Sequence, residues 1–324
     1  MKLRQLDYLL AVVDNDLNVT AAARKTHTSQ PGVSRQLRLL EEELGFRIFN
    51  RAGRALTRVT PAGSQVVERA QRVVREIKSI RRLSDDLANE DSGSLSIGTT
   101  HTQARYVLPD VVRDFRTRYP NVLLHIHQGT SEQIAAMIAA DRIDFALASG
   151  STALFRELTI LPCYRWHRTV VVTRDHPLTA CAHLSMEELA RHPLITYNFS
   201  FNGPSSLHKA FEAHGLAADV VLTARDADVI KTYVRLGLGA GIVASVALDP
   251  QADADLVAID ATHLFPQITT WMGFRHSALL RRYMYDFMQR FAPHLERRRV
   301  DAARDASSEQ QIERLFADID IPLR

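Results

Sequence analysis

Several polar side chains near residue 30 have the chemistry needed to contact a nucleic acid. Gln30, Ser34, Arg35 and Arg38 can exchange hydrogen bonds with base edges and phosphate oxygens. The apolar residues of the same stretch recur at helical spacing, at Val33, Leu37, Leu40 and Leu44. The spacing therefore predicts a helix with one buried stripe and one polar face that can read DNA.

The ends of this helix are marked by residues that cap helices. Ser29 is a good N-cap, Pro31 is tolerated in a first turn, and Gly45 suits a C-terminal cap. Because the acidic run at 41–43 would repel phosphate, we predict that the N-terminal half, including Pro31, faces the DNA.

The elements around this helix predict a winged helix-turn-helix. Upstream, an amphipathic helix begins at Leu3, and Asn18 caps a short helix that ends near Thr26. Downstream, residues 46–58 predict two short strands with a turn at 52–53. Basic residues along this hairpin are expected to reach phosphates or a minor groove: Arg51, Arg54 and Arg58.

Charge is distributed unevenly along the chain. Residues 1–82 carry 16 Lys and Arg against 8 Asp and Glu, whereas the other 242 residues carry 24 against 29. A basic head on a mildly acidic body is typical of a nucleic-acid-binding domain joined to a domain with another task. A solvated basic face is the alternative that charge alone leaves open.

A long apolar seam follows the wing. Thr60 and Pro61 predict the start of a helix running from 62 to about 88. Its seam consists of Val66, Val67, Ala70, Val73, Val74, Ile77, Ile80, Leu83 and Leu87. Because a helix of this length with such a seam usually packs on a partner helix, we predict a dimerising linker with a hinge at 89–93.

A second candidate site lies where the first strand of the larger domain ends. Residues 99–103 place hydroxyl and amide groups between a strand and a helix N-terminus, where exposed N–H groups and the helix dipole favour an anion. Thr100, Thr102 and Gln103 are the candidate ligands. The alternative is ordinary N-capping by one threonine.

The rest of the chain predicts alternating strands and helices in two α/β lobes around a cleft. We expect the linker over 61–90 after a head of 1–60, lobe I over 91–162 and 268–296, and lobe II over 163–267. Residues 162–167 are expected to interrupt the strand pattern, and 198–205 to form a loop. The tail, 297–324, is expected to be polar with one short helix after Ser308.

The sequence gives little support for a dinucleotide, metal or redox site. Residues 237–241 resemble a dinucleotide loop but follow a helix, the reverse of the required order. His125 and His127 share one face of a strand without further metal ligands at a recognisable spacing. Cys163 is expected to be a buried thiol, with redox sensing by it or Cys181 as the alternative. We predict no enzyme, no cofactor and no metal.

The composition predicts a cytoplasmic protein. Two cysteines do not make a disulfide framework, the start resembles no signal peptide, and no apolar run reaches membrane-spanning length. These features disfavour a periplasmic solute-binding protein, which the two lobes alone would allow.

The head resembles the LysR-type transcriptional regulators. The resemblance is carried by residues 22–24, 29–31, 33–34, 39–49, 51 and 56–63. It implies a winged helix-turn-helix, a linker helix and a two-lobed domain like the periplasmic binding proteins. It also implies a DNA-binding regulator, mainly an activator, that forms a dimer of dimers and has RNA polymerase as a further partner.

The larger domain resembles the CysB and Cbl branch of that family, on residues 99–106, 127–129, 161–164, 226–239 and 283–287. This resemblance implies regulation of sulfur assimilation and a small anionic effector such as sulfate or an acetylserine. Two further cleft positions, usually threonine in the branch, are Ser149 and Asn202 here. Because Asn202 changes the shape of the site, a regulator of sulfonate or organosulfur use with another effector is the alternative.

Overall fold

The computed structural model describes residues 1–53, 55–88, 91–202 and 207–324, and their side chains except at 75, 78–88, 201 and 202. The chain divides into two compact units, Met1–Asn89 and Glu90–Arg324.

The first unit is a winged helix-turn-helix followed by a long helix. Its elements are α1 (Leu3–Asp14), α2 (Val19–Lys25), α3 (Gln30–Leu44), β1 (Phe49–Ala52), β2 (Ala55–Val59) and α4 (Pro61–Ala88). The strands β1 and β2 pair antiparallel as the wing. Its core includes Leu9, Val33 and Leu37, together with Val67 and Ala70 from the start of α4.

Side-chain caps set the helix starts in this unit, as the sequence predicts. Asn18 Oδ1 accepts from Ala21 N at 3.0 Å, and Ser29 Oγ accepts from Gly32 N at 3.3 Å. Gly45 caps the C-terminus of α3, and its φ of 75° is left-handed, a conformation that glycine adopts without strain.

The second unit contains two five-stranded sheets. Its strands are β3 (Gly93–Thr99), β4 (Val122–Gln128), β5 (Phe145–Ser149), β6 (Leu158–Trp166), β7 (Arg168–Thr173), β8 (Leu194–Tyr197), β9 (Val220–Ala224), β10 (Ala240–Ala244), β11 (Leu256–Asp260) and β12 (Ile268–Arg275). Its α-helices are α5 (Leu108–Arg118), α6 (Ser131–Ala139), α7 (Met186–Leu189), α8 (Asn198–Asn202), α9 (Leu207–Glu212), α10 (Ala227–Arg235), α11 (Arg282–Phe291), α12 (Arg297–Arg304) and α13 (Glu309–Phe316).

Each sheet belongs to one lobe. Lobe I has the order β4-β3-β5-β12-β6, and lobe II the order β11-β7-β10-β8-β9. The expected parallel unit is present in β4, β3 and β5, whereas β12 joins it antiparallel. The chain crosses between the lobes at His167, so the segment 163–166 lies on the lobe I sheet and not in lobe II as expected.

The expected interruption at residues 162–167 is wrong, because β6 runs through Pro162. The strand lies at the edge of its sheet, where a residue without an N–H is tolerated. The pairing with β12 also shifts register between Thr270 and Trp271, opposite this proline. The prediction also missed β11, which is likewise an edge strand and is largely half-buried or exposed.

Two further expectations need correction. The predicted loop at 198–205 begins as the short helix α8. The tail is not merely polar with one helix: α12 and α13 both form, and Val300, Ala303, Ile312 and Phe316 join the main hydrophobic core. Tail residue Leu323 also pairs with Arg165 on β6, which covers part of that open sheet edge.

Among the described residues, no helix combines the length and apolar character needed to cross a membrane.

Candidate functional site

A surface depression on the first unit brings together most of the predicted DNA-contacting residues. It is lined by Val19, Gln30, Pro31, Ser34, Arg35, Leu37, Arg38, Arg51 and Leu56. Residues of α2, α3 and both wing strands therefore meet at one place, which a linear sequence does not reveal. The polar residues of α3 project here as predicted.

The polar and basic side chains of this surface and the wing differ in their exposure and in their protein partners. Arg35 and Arg38 are exposed on this surface, and Arg58 on the wing is also exposed but lies beside the Asn50 side-chain amide. Gln30 Nε2 donates to Ser34 Oγ at 3.1 Å, which orients both side chains on the first turns of α3. Arg54 lies outside the described residues.

Arg51 has a partner that the sequence did not predict. Its Nη2 lies 2.6 Å from Glu41 Oε2, and the Arg51 side chain is only 18% exposed. Glu41 is buried, and its Oε1 accepts from the backbone N–H groups of Ile48 and Phe49 at 2.9 and 3.1 Å. The first glutamate of the acidic run therefore holds the start of the wing against α3. Arg51 takes part in this ion pair in addition to its predicted contact with a DNA phosphate.

The threonines of the predicted effector cluster have distinct environments. Thr99 is buried at the end of β3, and its Oγ1 donates to Leu147 O at 3.0 Å, so it is structural. Thr100 and Thr102 are half-buried. Ala104 N donates to Thr100 O at 3.1 Å, and helical backbone begins directly after Thr100. A π-helical turn then covers Gln103–Val107.

Gln103 and Ser149 are brought together in one hydrogen-bonded network. Gln103 Nε2 donates to Ser149 Oγ at 3.2 Å, and Ser149 Oγ lies 2.7 Å from Thr270 Oγ1. The Tyr164 hydroxyl donates to Gln103 Oε1, and Trp166 Nε1 donates to Ser149 Oγ at 3.3 Å. Because the Gln103 amide is buried and already bonded at both ends, its first role is to orient Ser149.

The sequence prediction missed Thr270, Tyr164 and Trp166 in this network. Tyr164 and Trp166 alternate on β6, the strand whose existence Pro162 obscured. The alternation of Tyr164 and Trp166, just before the crossing between the lobes, was the sequence signal that could have predicted this strand.

Thr102 faces the other lobe. Burial raises the pKa of Tyr197 to about 12, and hydrogen bonds from Ala244 N–H and from Thr102 act in the opposite direction. Since Tyr197 ends β8 in lobe II, this contact spans the cleft. Arg168, paired with Ala244 on the neighbouring strand, is buried, and burial lowers its pKa.

The second cleft segment is α8, which directly follows β8. Asn202 is its last residue, and the Asn202 side chain lies outside the described part of the chain. Ser200, which the sequence prediction missed, is buried, and its Oγ has no hydrogen-bond partner among the described residues. Ligands of α/β sheets bind beyond the carboxyl ends of the strands, where Thr100, Ser149 and Ser200 all lie.

One group of potential metal ligands occurs among the described residues. Donor atoms of His101, Asp226 and Asp228 lie within 4.8 Å of one another. However, Asp226 caps α10 through Val229 N, and Asp228 already contacts Arg105 Nε at 3.5 Å. This arrangement satisfies the carboxylates with protein donors instead of presenting them to a cation.

The structure also shows the surroundings of the other motifs weighed in the sequence. The His125 and His127 rings stack with their centroids 6.3 Å apart. Cys163 is fully buried and burial raises the pKa of its thiol, which disfavours a reactive thiolate. Residues 237–239 connect α10 to β10, as predicted. A Cβ at Gly239 would lie 2.3 Å from Pro193 O.

Comparison with known proteins agrees with this architecture. Residues 3–64 match the model for the bacterial regulatory helix-turn-helix protein of the lysR family. Residues 88–296 match the LysR substrate binding domain.

Individual relatives cover most of the chain. The chain is 46% identical to the HTH-type transcriptional regulator CysB of Haemophilus influenzae, over 99% of both chains. It is 45% identical to the regulator SsuR of Burkholderia cenocepacia, over 91% of this chain and 96% of SsuR. The solved cofactor-binding domain of the Cbl transcriptional regulator is 39% identical with a TM-score of 0.60, covering 71% of this chain and 96% of that domain. The chain belongs to the LysR family of transcriptional regulators.

Proposed function

We propose that this protein is a cytoplasmic, sequence-specific DNA-binding regulator of sulfur-assimilation genes, mainly an activator. A small anion, such as sulfate or an acetylserine, is its effector and binds between the two lobes. The observation that carries this proposal is that Thr100 and Ser149 lie at the carboxyl ends of the paired parallel strands β3 and β5, where Gln103 Nε2 donates to Ser149 Oγ. The 46% identity to a CysB regulator supports the sulfur role.

Neutral hydrogen-bond donors suit a small oxyanion in this cleft. Hydroxyl groups and backbone N–H groups at a helix start bind an anion without a directly paired cation, and this allows selection by shape. The buried guanidinium of Arg168 adds positive potential within lobe II. Ser200 Oγ, buried without a partner among the described residues, is a further candidate donor.

Effector binding is proposed to change the relation of the two lobes and, through α4, the placement of the DNA-binding heads. A ligand shifts such an equilibrium only by its differential affinity for the two states. We therefore expect the effector to contact both lobes.

The effector assignment can be tested by thermal shift and calorimetry on the full chain. The panel is sulfate, O-acetylserine, N-acetylserine and adenosine phosphosulfate. We expect at least one anion to bind the wild type. The double variant Thr100→Val with Thr102→Val should bind that anion more than tenfold more weakly, because each charge-assisted hydrogen bond contributes about 1.5–3 kcal/mol. The matched control is Thr117→Val, an exposed threonine on α5.

Basal binding to a promoter fragment of a sulfate-assimilation gene is measured alongside by mobility shift. Retained DNA binding with a lost response supports the cleft assignment. A response that survives both substitutions contradicts it.

A second candidate function is regulation of sulfonate or organosulfur use. It is favoured by Asn202, which replaces a hydroxyl with an amide, and by the 45% identity to SsuR. Preference for adenosine phosphosulfate over sulfate and the acetylserines in the same panel would favour this alternative.

We also propose that α4 pairs with its copy and that two such pairs form the working tetramer, with RNA polymerase as a further partner at promoters. The seam residues Val66, Val67, Ala70 and Val74 pack within the first unit, whereas Val73 on α4 is apolar yet 40% exposed, as expected of a residue that packs on a partner helix. Sedimentation of Val73→Asp should show a smaller assembly than the wild type. An exposed neutral residue of the same helix, changed as Gln71→Asp, controls for one added negative charge.

A further inference from the structure

A single carboxylate of lobe II receives three side chains of lobe I. Asp228 Oδ1 accepts from the Tyr106 hydroxyl at 2.5 Å, and Asp228 Oδ2 lies 3.5 Å from Arg105 Nε and 3.9 Å from His101 Nε2. All three partners belong to the helical turns that directly follow Thr100. The contact therefore joins the segment that carries the predicted effector ligands to the first turn of α10.

A buried cation fixes the Tyr106 hydroxyl from the other side. Lys231, one turn after Asp228, is 2% exposed, and its Nζ donates to Tyr106 Oη at 3.0 Å. The same Nζ donates to Ala247 O at 2.9 Å and Asp253 Oδ2 at 2.7 Å. Lys231 is itself held by groups of lobe II. The Tyr106 hydroxyl therefore accepts a hydrogen bond from a fixed Lys231 Nζ and donates one to Asp228, and these two bonds fix its orientation.

The protonated form of Tyr106 is favoured at this position. Burial, the hydrogen bond to Asp228 and the nearby charges of Asp228 and Asp253 all raise the pKa of Tyr106. The phenol therefore remains a donor to Asp228 throughout the neutral pH range.

We propose that Tyr106 is a positioning residue for the effector cleft, acting as a latch that holds the first turns after Thr100 against Asp228 and Lys231 of lobe II. Thr102, four residues before Tyr106, contacts Tyr197 of the same lobe, so two side chains of one helical segment reach across the cleft. The latch favours the closed arrangement of the lobes and orients Thr102 and Gln103. It rests on the proposed function in one respect, namely that the cleft binds an anion.

The chain offers a closely matched control for the test. Tyr119 Oη donates to Asp286 Oδ2 at 2.6 Å, and Arg118 Nη2 lies 3.0 Å from the same carboxylate. This is the same Arg-Tyr pair on an aspartate, but all of it lies within lobe I. Tyr106→Phe and Tyr119→Phe therefore remove the same chemical group, and only one of them breaks a contact between lobes.

The first measurement needs no ligand. Hydrogen–deuterium exchange of the full chain is followed over residues 226–236, which lie in lobe II. We expect faster exchange there in Tyr106→Phe and wild-type exchange in Tyr119→Phe. Equal exchange in the two variants would overturn the latch. A thermal melt of both variants establishes that they are folded.

The second measurement is the calorimetric Kd for sulfate and for N-acetylserine. Loss of one such hydrogen bond predicts about three- to tenfold weaker binding in Tyr106→Phe, with Tyr119→Phe unchanged. Adding Asp228→Ala to Tyr106→Phe should weaken binding by less than the product of the single effects, because each single change removes the Tyr106–Asp228 hydrogen bond. Additive effects, or an unchanged Kd in Tyr106→Phe, would count against the latch. If the wild type binds no anion, the proposed function fails, while the exchange measurement still decides the latch.

Discussion

Glu41 and Arg51 form an ion pair, with Oε2 and Nη2 2.6 Å apart, that ties α3 to the first strand of the wing. The same glutamate accepts two backbone hydrogen bonds from Ile48 and Phe49. One buried carboxylate thus fixes where the wing leaves α3, and so where Arg58 lies relative to Arg35.

Removal of this carboxylate should destabilise the DNA-binding unit. Glu41→Ala leaves two buried N–H groups without an acceptor and Arg51 without its anion, so we expect a loss of about 2–4 kcal/mol in the free energy of unfolding. Urea denaturation followed by circular dichroism measures it. Glu42→Ala, at an exposed position on the same helix, should change it by no more than about 0.5 kcal/mol. Equal losses in the two variants would contradict the role of Glu41.

Arginines of the DNA-facing surface should differ in what they contribute. If Arg35 contacts a base edge, Arg35→Ala should weaken operator binding by about 1–3 kcal/mol and relax sequence preference. If Arg54 and Arg58 contact phosphates, Arg58→Ala and Arg54→Ala should weaken binding to all DNA sequences alike. Each should also reduce the slope of log affinity against log salt concentration by about one.

Fluorescence anisotropy across a salt series distinguishes these two effects. Arg191→Ala, which removes an exposed arginine of lobe II, serves as the control. Wild-type affinity in both Arg35→Ala and Arg58→Ala would show that the DNA lies elsewhere.

His176 should make lobe II less stable at mildly acid pH. Burial, and then the neighbouring His192, lower the pKa of His176 below its ordinary 6.5. As the pH falls below 6.5, the unfolded chain takes up this proton before the folded chain does. The stability contributed by neutral His176 is therefore present above pH 6.5 and is lost as the pH falls from there through the lowered pKa.

His176→Asn should reduce the loss of folding stability at mildly acid pH. An Asn side chain can still accept from Leu178 N, which His176 Nδ1 caps at 3.2 Å, but it does not titrate. The urea midpoint should fall less between pH 7.5 and 5.5 in this variant than in the wild type. The exposed His208→Asn controls for loss of an imidazole. A fall as steep as that of the wild type would argue against His176.

Local sequence determined the ends of elements and the polar face of α3. Ser29, Asn18 and Asp226 cap helices whose N–H groups lie three residues away. Such a bond depends on the neighbouring backbone alone, so residue type and spacing predict it. Most of the order of elements along the chain followed from the same kind of signal, whereas the family followed from the resemblance of residues 22–63 to the LysR-type regulators.

Tertiary structure decided which distant groups meet. Pro162 could enter a strand because β6 lies at a sheet edge, and a sheet edge is defined only after ten strands have been ordered into two sheets. Glu41 is buried because the wing folds back onto it, and an isolated acidic run gives no sign of this. Tyr106 and Asp228 are separated by 122 residues in the chain. Their contact depends on how two lobes close, which local propensity does not encode.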